Sequence, residues 1–232
     1  DVYKRQIKGL EQALHMVTTK DHQLRGEVTI GMPVVFGLNL VIPLLEEFGR
    51  EHPDLNFQVR FELGHILNEM LLSGEVDFAF VDDFNMDQQV KTQKVYDETL
   101  KLYCSKEYFQ KKKAKVNGLK AKAFFESFDY IAYEKGEPII RHWLQPHIRG
   151  QINLKVRSYV ADALGISKFI TSGMGAGVLP KHHGEQLMEQ GYELHEFDSK
   201  GKEAKNKVSL AYVSNRTQST PVQKTLEFLV AV

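Results

Sequence analysis

Asp82 and Asp83 stand side by side at the end of the run Val76-Asp77-Phe78-Ala79-Phe80-Val81. Such a run reads as a strand buried on both faces, and open α/β sheets gather ligands at the carboxyl ends of their strands. Adjacent residues on a turn seldom converge as a proton-transfer pair, so these carboxylates are expected at the rim of a ligand site. Gly173-Met174-Gly175-Ala176-Gly177 has the composition of a phosphate loop, yet it precedes Val178-Leu179-Pro180. Phosphate loops need strand, loop and helix in that order, so a tight helix-to-strand connection is expected instead. Cys104 is the only cysteine and lies in a strand-like alternation, which excludes an internal disulfide, a C-x-x-C pair and a thiolate zinc site. His142 with His147, and the pair His182-His183, lack the i, i+4 facing of a helical metal site. No G-x-S-x-G elbow is present. No catalytic residue, metal or cofactor is assigned, and the chain is not expected to be an enzyme.

Lys111, Lys112, Lys113, Lys115, Lys120 and Lys122 crowd one stretch. They read as a solvated face beside a domain junction, because no aromatics interleave with them as base stacking would require. The chain of 232 residues carries 30 Lys+Arg against 30 Asp+Glu, so no global charge draws it to nucleic acid or to an anionic membrane. Hydrophobic residues at 42% and charged residues at 26% match ordinary globular domains. The uncharged run from Val28 to Leu45 approaches the length of a bilayer span, but Gly31, Pro33, Gly37, Asn39 and Pro43 interrupt it. It reads as strand, turn and helix. No secretory leader is recognisable and residue 1 is Asp, so the sequence reads as part of a longer, cytoplasmic chain without membrane contact.

The elements that must hold these residues follow from periodicity. Ile7, Leu10, Leu14 and Val17 form a short a/d seam, expected to be a dimerising linker helix over residues 1–23. Val28-Thr29-Ile30 begins a strand, and Leu38, Val41, Ile42, Leu45 and Phe48 follow at helical spacing, closed by Pro53. Leu55 to Leu63 alternates as a strand, Ile66 to Leu71 marks a helix, and Gly74 is its expected stop. Three strands joined by two helices imply a parallel sheet. A second α/β set is expected: strand Tyr130 to Tyr133, helix Ile139 to Leu144, strand Ile152 to Val156 and helix Leu164 to Ile170. Val208 to Val213 reads as a late strand, and Ser219-Thr220-Pro221 opens the last helix.

Taken in order, these pieces resemble the effector-binding domain of LysR-type transcriptional regulators over nearly the whole chain. The matching segments are Leu24 to Gly31, Pro43 to Phe48 with His52-Pro53-Asp54, Leu71 to Ala79, Glu98-Thr99-Leu100, and Ile170 to Pro180. The resemblance implies an α/β fold of two Rossmann-like lobes, type 2 periplasmic-binding-protein-like. Lobe I would be 24–103 plus 208–232 and lobe II 104–207, with strands crossing near Leu102 to Cys104 and Val208 to Leu210. It also implies a winged helix-turn-helix upstream as the sole route to DNA, self-association as a dimer or tetramer, and a small effector between the lobes. Effector binding would then re-aim the DNA-binding domains.

By position, the cleft lining is expected from the first turn (Met32, Pro33, Val34, Val35), from Gly64 and His65, and from Asp82 and Asp83. The second lobe would add Tyr133, Arg141, Ser158 and Tyr159. Helix N-termini facing such a crevice suit anions and polar molecules. The apolar first turn departs from the hydroxyl side chains common there, which favours a ligand with an aromatic or aliphatic body over a small dicarboxylate. A lone cysteine argues against the disulfide switch of the family's peroxide sensors. A solute-binding protein of a transport system is the rival reading.

Overall fold

The structure is a computed structural model that describes residues 24–82 and 86–231. The expected linker helix and Asp83 lie outside the described residues. Strand β1 (Gly26–Met32) leads into α1 (Val34–Phe36), which runs through a π-helical turn at Gly37–Val41 into α2 (Ile42–Glu51). Then come β2 (Leu55–Phe61), α3 (Gly64–Ser73) and β3 (Phe78–Asp82). Both β2 and β3 pair with β1 in parallel, as the alternation of strands and helices requires. Gly74 ends α3 in the left-handed region (φ 79°), its N–H reaching the carbonyl of Met70 at 3.0 Å.

The next strand, β4 (Val90–Ser105), is much longer than its apolar end predicts, because Lys91, Thr92, Gln93 and Lys94 are exposed and carry no hydrophobic period. After it come α4 (Lys106–Val116), α5 (Ala121–Glu126), β5 (Asp129–Ala132), α6 (Pro138–Leu144) and β6 (Lys155–Tyr159). Strand β6 starts later than the expected Ile152 because pairing with β5 begins at Lys155. Ile152 and Leu154 instead approach the core in extended chain. The chain continues through α7 (Ala163–Thr171), β7 (Gly177–Pro180), α8 (Lys181–Glu189), β8 (Leu194–Glu196), β9 (Ala204–Val213) and α9 (Thr220–Ala231).

The main sheet has the order β2-β1-β3-β9-β4-β7, with β8 also on β4. Strands β4 and β9 run antiparallel from Val90↔Val213 to Leu100↔Ala204, with a bulge between Lys94 and Tyr96. Strand β9 takes up β3 from Val208, and β4 takes up β7 from Leu100. A bridge between Tyr130 and Ala176 carries the pairing on to β5 and β6. Two lobes thus share two strands. Lobe I packs Ile30, Phe78, Phe80 and Leu210 against α2 and α9, while lobe II buries Tyr130, Trp143, Phe128 and Phe197.

The glycine-rich segment is the helix-to-strand connection its order implies. A Cβ on Gly175 would lie 2.6 Å from the carbonyl oxygen of Asp129, so the segment is small for close packing of backbones. Cys104 is fully buried in β4, and burial pushes its thiol up to about 12. The lysine-rich stretch forms α4 and the start of α5. Lys111 pairs with Glu107 on the solvent side, and Lys112 turns inward to Asp129 at 3.2 Å.

Asp129 gives lobe II an acid-sensitive joint. Its carboxylate accepts from the Tyr108 hydroxyl at 2.9 Å and from Lys112 and Lys155 at 3.2 and 2.9 Å. Burial works to raise its pKa, but hydrogen bonds from Lys155, Tyr108 and Lys112 outweigh burial and hold it at about 2. A depressed carboxylate contributes stability that is fully present above its unfolded pKa and lost as pH falls through the folded one. Asp129→Asn is therefore expected to cost about 2 kcal/mol at neutral pH. It should also flatten the acid limb of stability between 3.8 and about 2. Urea unfolding across that range checks this, and an unchanged acid limb in the variant refutes it.

Candidate functional site: the interlobe cleft

The cleft opens where the carboxyl ends of β1 and β3 in lobe I face those of β5 and β6 in lobe II. In lobe I, Pro33 (φ −64°, ψ 142°) sets the extended entry to α1, and its carbonyl accepts from the N–H of Gly37 at 2.9 Å. The π-helical turn then folds tightly over β1. A Cβ on Gly37 would come within 2.6 Å of the Met32 sulfur and 2.7 Å of the Phe61 ring, so a larger residue there would have to displace both side chains. Met32 is consequently a core residue beneath the turn rather than part of the lining. Val34 is half-buried, whereas Val35 is buried and faces the seam between the lobes.

Asp82 ends β3 beside the first residue of α3. A Cβ on Gly64 would sit 3.1 Å from Asp82 Oδ1, so the glycine lets the carboxylate lie against the helix start. Burial raises the Asp82 pKa, its own N–H lowers it, and the carboxylates of Glu98 and Glu134 raise it further. His65, next along α3, is exposed.

In lobe II, Tyr133 follows β5 and its hydroxyl pKa is raised by burial and then by Glu98, Asp162 and Asp82. Carboxylates from both lobes and from crossing strand β4 thus act electrostatically on one tyrosine. Asp162 caps α7, accepting from the N–H of Leu164 at 2.6 Å. Ser158 is half-buried on β6, and Tyr159 is exposed with its hydroxyl donating to Glu137 Oε1 at 3.1 Å. Arg141 does not offer a free guanidinium. It donates to the carbonyls of Gly136 and Ile152 at 2.9 and 3.2 Å and to Glu137 Oε2 at 2.8 Å, bracing the loop after β5.

The structure thus brings Asp82 and Gly64 together, sets Tyr133 within electrostatic reach of Asp82, keeps Ser158 and Tyr159 on the β6 side, and withdraws Met32 and Arg141. Sequence reasoning missed a polar chain that ties the lobes. Asn39 in the π-helical turn meets His182 Nδ1 at 3.1 Å, and His182 Nε2 meets Glu98 Oε1 at 3.2 Å. Asn206 on β9 donates to Glu98 Oε2 at 3.2 Å. The chain therefore links lobe I, α8 of lobe II and both crossing strands. Beside it, a groove of about 370 Å³ runs between Val35, Leu38 and Asn39 on one side and Leu164, Ser167 and His183 on the other. No spacing rule joins residues so far apart in sequence; the only local signal is a glutamate, Glu98, buried in a strand.

Among the described residues, no group of three or more His, Cys, Asp or Glu side chains could hold a metal ion. No described helix is long and apolar enough to cross a membrane.

Comparison with known proteins agrees with this architecture. The family described as LysR substrate binding domain matches residues 21–232. The chain is 25% identical over 210 residues to an uncharacterized HTH-type transcriptional regulator of Haemophilus influenzae, covering 89% of this chain and 69% of that protein. It is also 25% identical over 182 residues to the nitrogen assimilation regulatory protein Nac of Escherichia coli, covering 78% and 57%. The effector binding domain of QuiR in complex with shikimate superimposes with a TM-score of 0.71 at 15% identity, covering 90% of this chain and 97% of that one. That likeness shows the fold, which is type 2 periplasmic-binding-protein-like. With a family match over almost its whole length and the two-lobed fold to go with it, the chain belongs to the LysR substrate-binding domain family, the effector-binding part of transcriptional regulators rather than a transport solute-binding protein.

Proposed function

We propose that the cleft between the lobes binds a small effector and relays its occupancy to a DNA-binding domain upstream of this chain. The protein would act in the cytoplasm as a dimer or tetramer and carry out no catalysis. The observation that carries this reading is the polar chain from Asn39 through His182 and Glu98 to Asn206, which ties both lobes through the shared strands beside a groove. Lobe I is taken as 24–103 with 208–232 and lobe II as 104–207, the cuts falling on the strands that exchange partners near Leu100 and Val208.

The electrostatics refine the ligand. The N-terminus of α7 is already capped by Asp162, and Asp82 lies against the start of α3. Helix ends that would attract an anion are thus met by the protein's own carboxylates. Together with the apolar first turn, this favours a ligand with an aromatic or aliphatic body and hydrogen-bond donors over a dianion. Benzamide and benzylamine are expected to raise the melting temperature saturably, and succinate is not. Saturable binding of succinate with no response to either ring compound would overturn this ligand class. For the relay, the full-length regulator should change its DNA affinity by about 5–150-fold when a stabilising ligand saturates it, measured by titration at fixed salt. Unchanged affinity, bend and contact pattern would remove the relay.

A further inference from the structure

A larger cavity, about 560 Å³, opens on the flank of lobe II, on elements that take no part in the cleft. That volume lies in the range of small-molecule sites. Its apolar wall is aromatic. Phe197, which is almost fully buried, meets Phe124 at 6.3 Å and 71°, and His195 stands 5.0 Å from it at 76°. Phe125 reaches the His147 ring at 6.1 Å, and His147 stacks on Trp143 at 4.7 Å. Aromatic rings favour edge-to-face and offset-stacked partners, so a wall of this kind suits a further flat ring.

The polar groups are few and of both signs. His147 Nε2 is buried and has no hydrogen-bond partner among the described residues. Burial, then Lys200 and Lys202, lower the imidazole pKa, and Asp198 works to raise it. Lys202 Nζ reaches only the carbonyl of Pro146, at 3.5 Å, and the Lys200 ammonium has no ion-pair partner among the described residues. Of the acids on the rim, Glu196 pairs with Lys101 at 3.0 Å, while Asp198 accepts from the backbone N–H of Lys200 at 2.7 Å and keeps its charge.

We propose that this cavity is a second ligand site, taking a flat ring that bears one carboxylate. The ring lies against Phe124, Phe125 and Phe197, and the carboxylate meets the ammonium groups of Lys200 and Lys202. The site stands apart from the cleft, so it holds or fails independently of the function proposed above.

The single tryptophan makes the test local, since the indole N–H of Trp143 gives one cross-peak and its ring stacks on His147. The chain is titrated with 2-naphthoate, and in parallel with the neutral 2-naphthalenemethanol. The indole peak should shift saturably with the acid, and the alcohol should bind at least about tenfold more weakly, since a charge-assisted bond is lost. Lys200→Glu, at an exposed position, should weaken the acid by about the same factor and leave the melting temperature unchanged. Ala121→Phe, which adds a ring at a residue lining the cavity, should abolish the shift. An indole peak unmoved by 2-naphthoate overturns the proposal, as does a shift that survives both substitutions or an alcohol that binds as tightly as the acid.

Discussion

Replacing Trp143 with alanine is expected to remove about 3–5 kcal/mol of folding stability, the range for deleting a large aromatic from a core. The side chain is wholly buried in lobe II between Phe125 and His147. Its neighbour Phe125 is itself held against Phe124 at 5.1 Å and Phe197 at 6.2 Å, so the space left behind closes only in part. Phenylalanine at the same position should cost only about 1–2 kcal/mol. It keeps most of the ring and removes an indole N–H that has no acceptor among the described residues. Urea unfolding of the two variants checks both the loss and the ordering; equal costs would contradict the role assigned to the indole N–H.

Gly175→Ala is expected to cost about 3 kcal/mol, near the upper end for overpacking, because the obstacle is backbone. The new Cβ would lie 2.6 Å from the oxygen and 3.0 Å from the carbon of the Asp129 carbonyl. A side chain can turn away from such a contact, but this carbonyl also accepts from the N–H of Ala176 at 2.8 Å. Pushing the strands apart would strain that bond and its neighbour, from the N–H of Ile131 to the carbonyl of Ala176 at 2.9 Å. Those two bonds carry the sheet from β7 to β5. A thermal melt within a degree of the unsubstituted protein would show that the segment can shift freely, contrary to this account.

The parts of the fold legible in the sequence are those whose burial writes a period. Strands β1 to β3 and helices α2 and α3 are bounded by Pro53, Gly74 and alternating apolar residues, and the structure follows them closely. The first half of β4 was invisible because it pairs with β9 while exposing Lys91 to Lys94, leaving no apolar alternation to read. Strand β6 was placed early because Ile152 and Leu154 are apolar for the core's sake, not for pairing. The cleft divides the same way. Asp82 was legible as a strand end, whereas Glu98, His182, Asn39 and Asn206 meet only through the fold, and Arg141 looked free because a sequence does not show three acceptors closing around it.

The position of β9 between β3 and β4 has a consequence for how the protein is made. As the chain leaves the ribosome, Phe78 to Asp82 and the polar half of β4 emerge long before the strand that belongs between them. Until Ala204 to Val213 appears, the N-terminal sheet holds an open edge on its most apolar strand. Lobe I cannot complete its hydrogen-bond ladder until β9 appears, since β9 fills the place between β3 and β4. A nascent or truncated product ending before Ala204 is thus a template for strand pairing with another chain, and the cell must hold or finish it quickly.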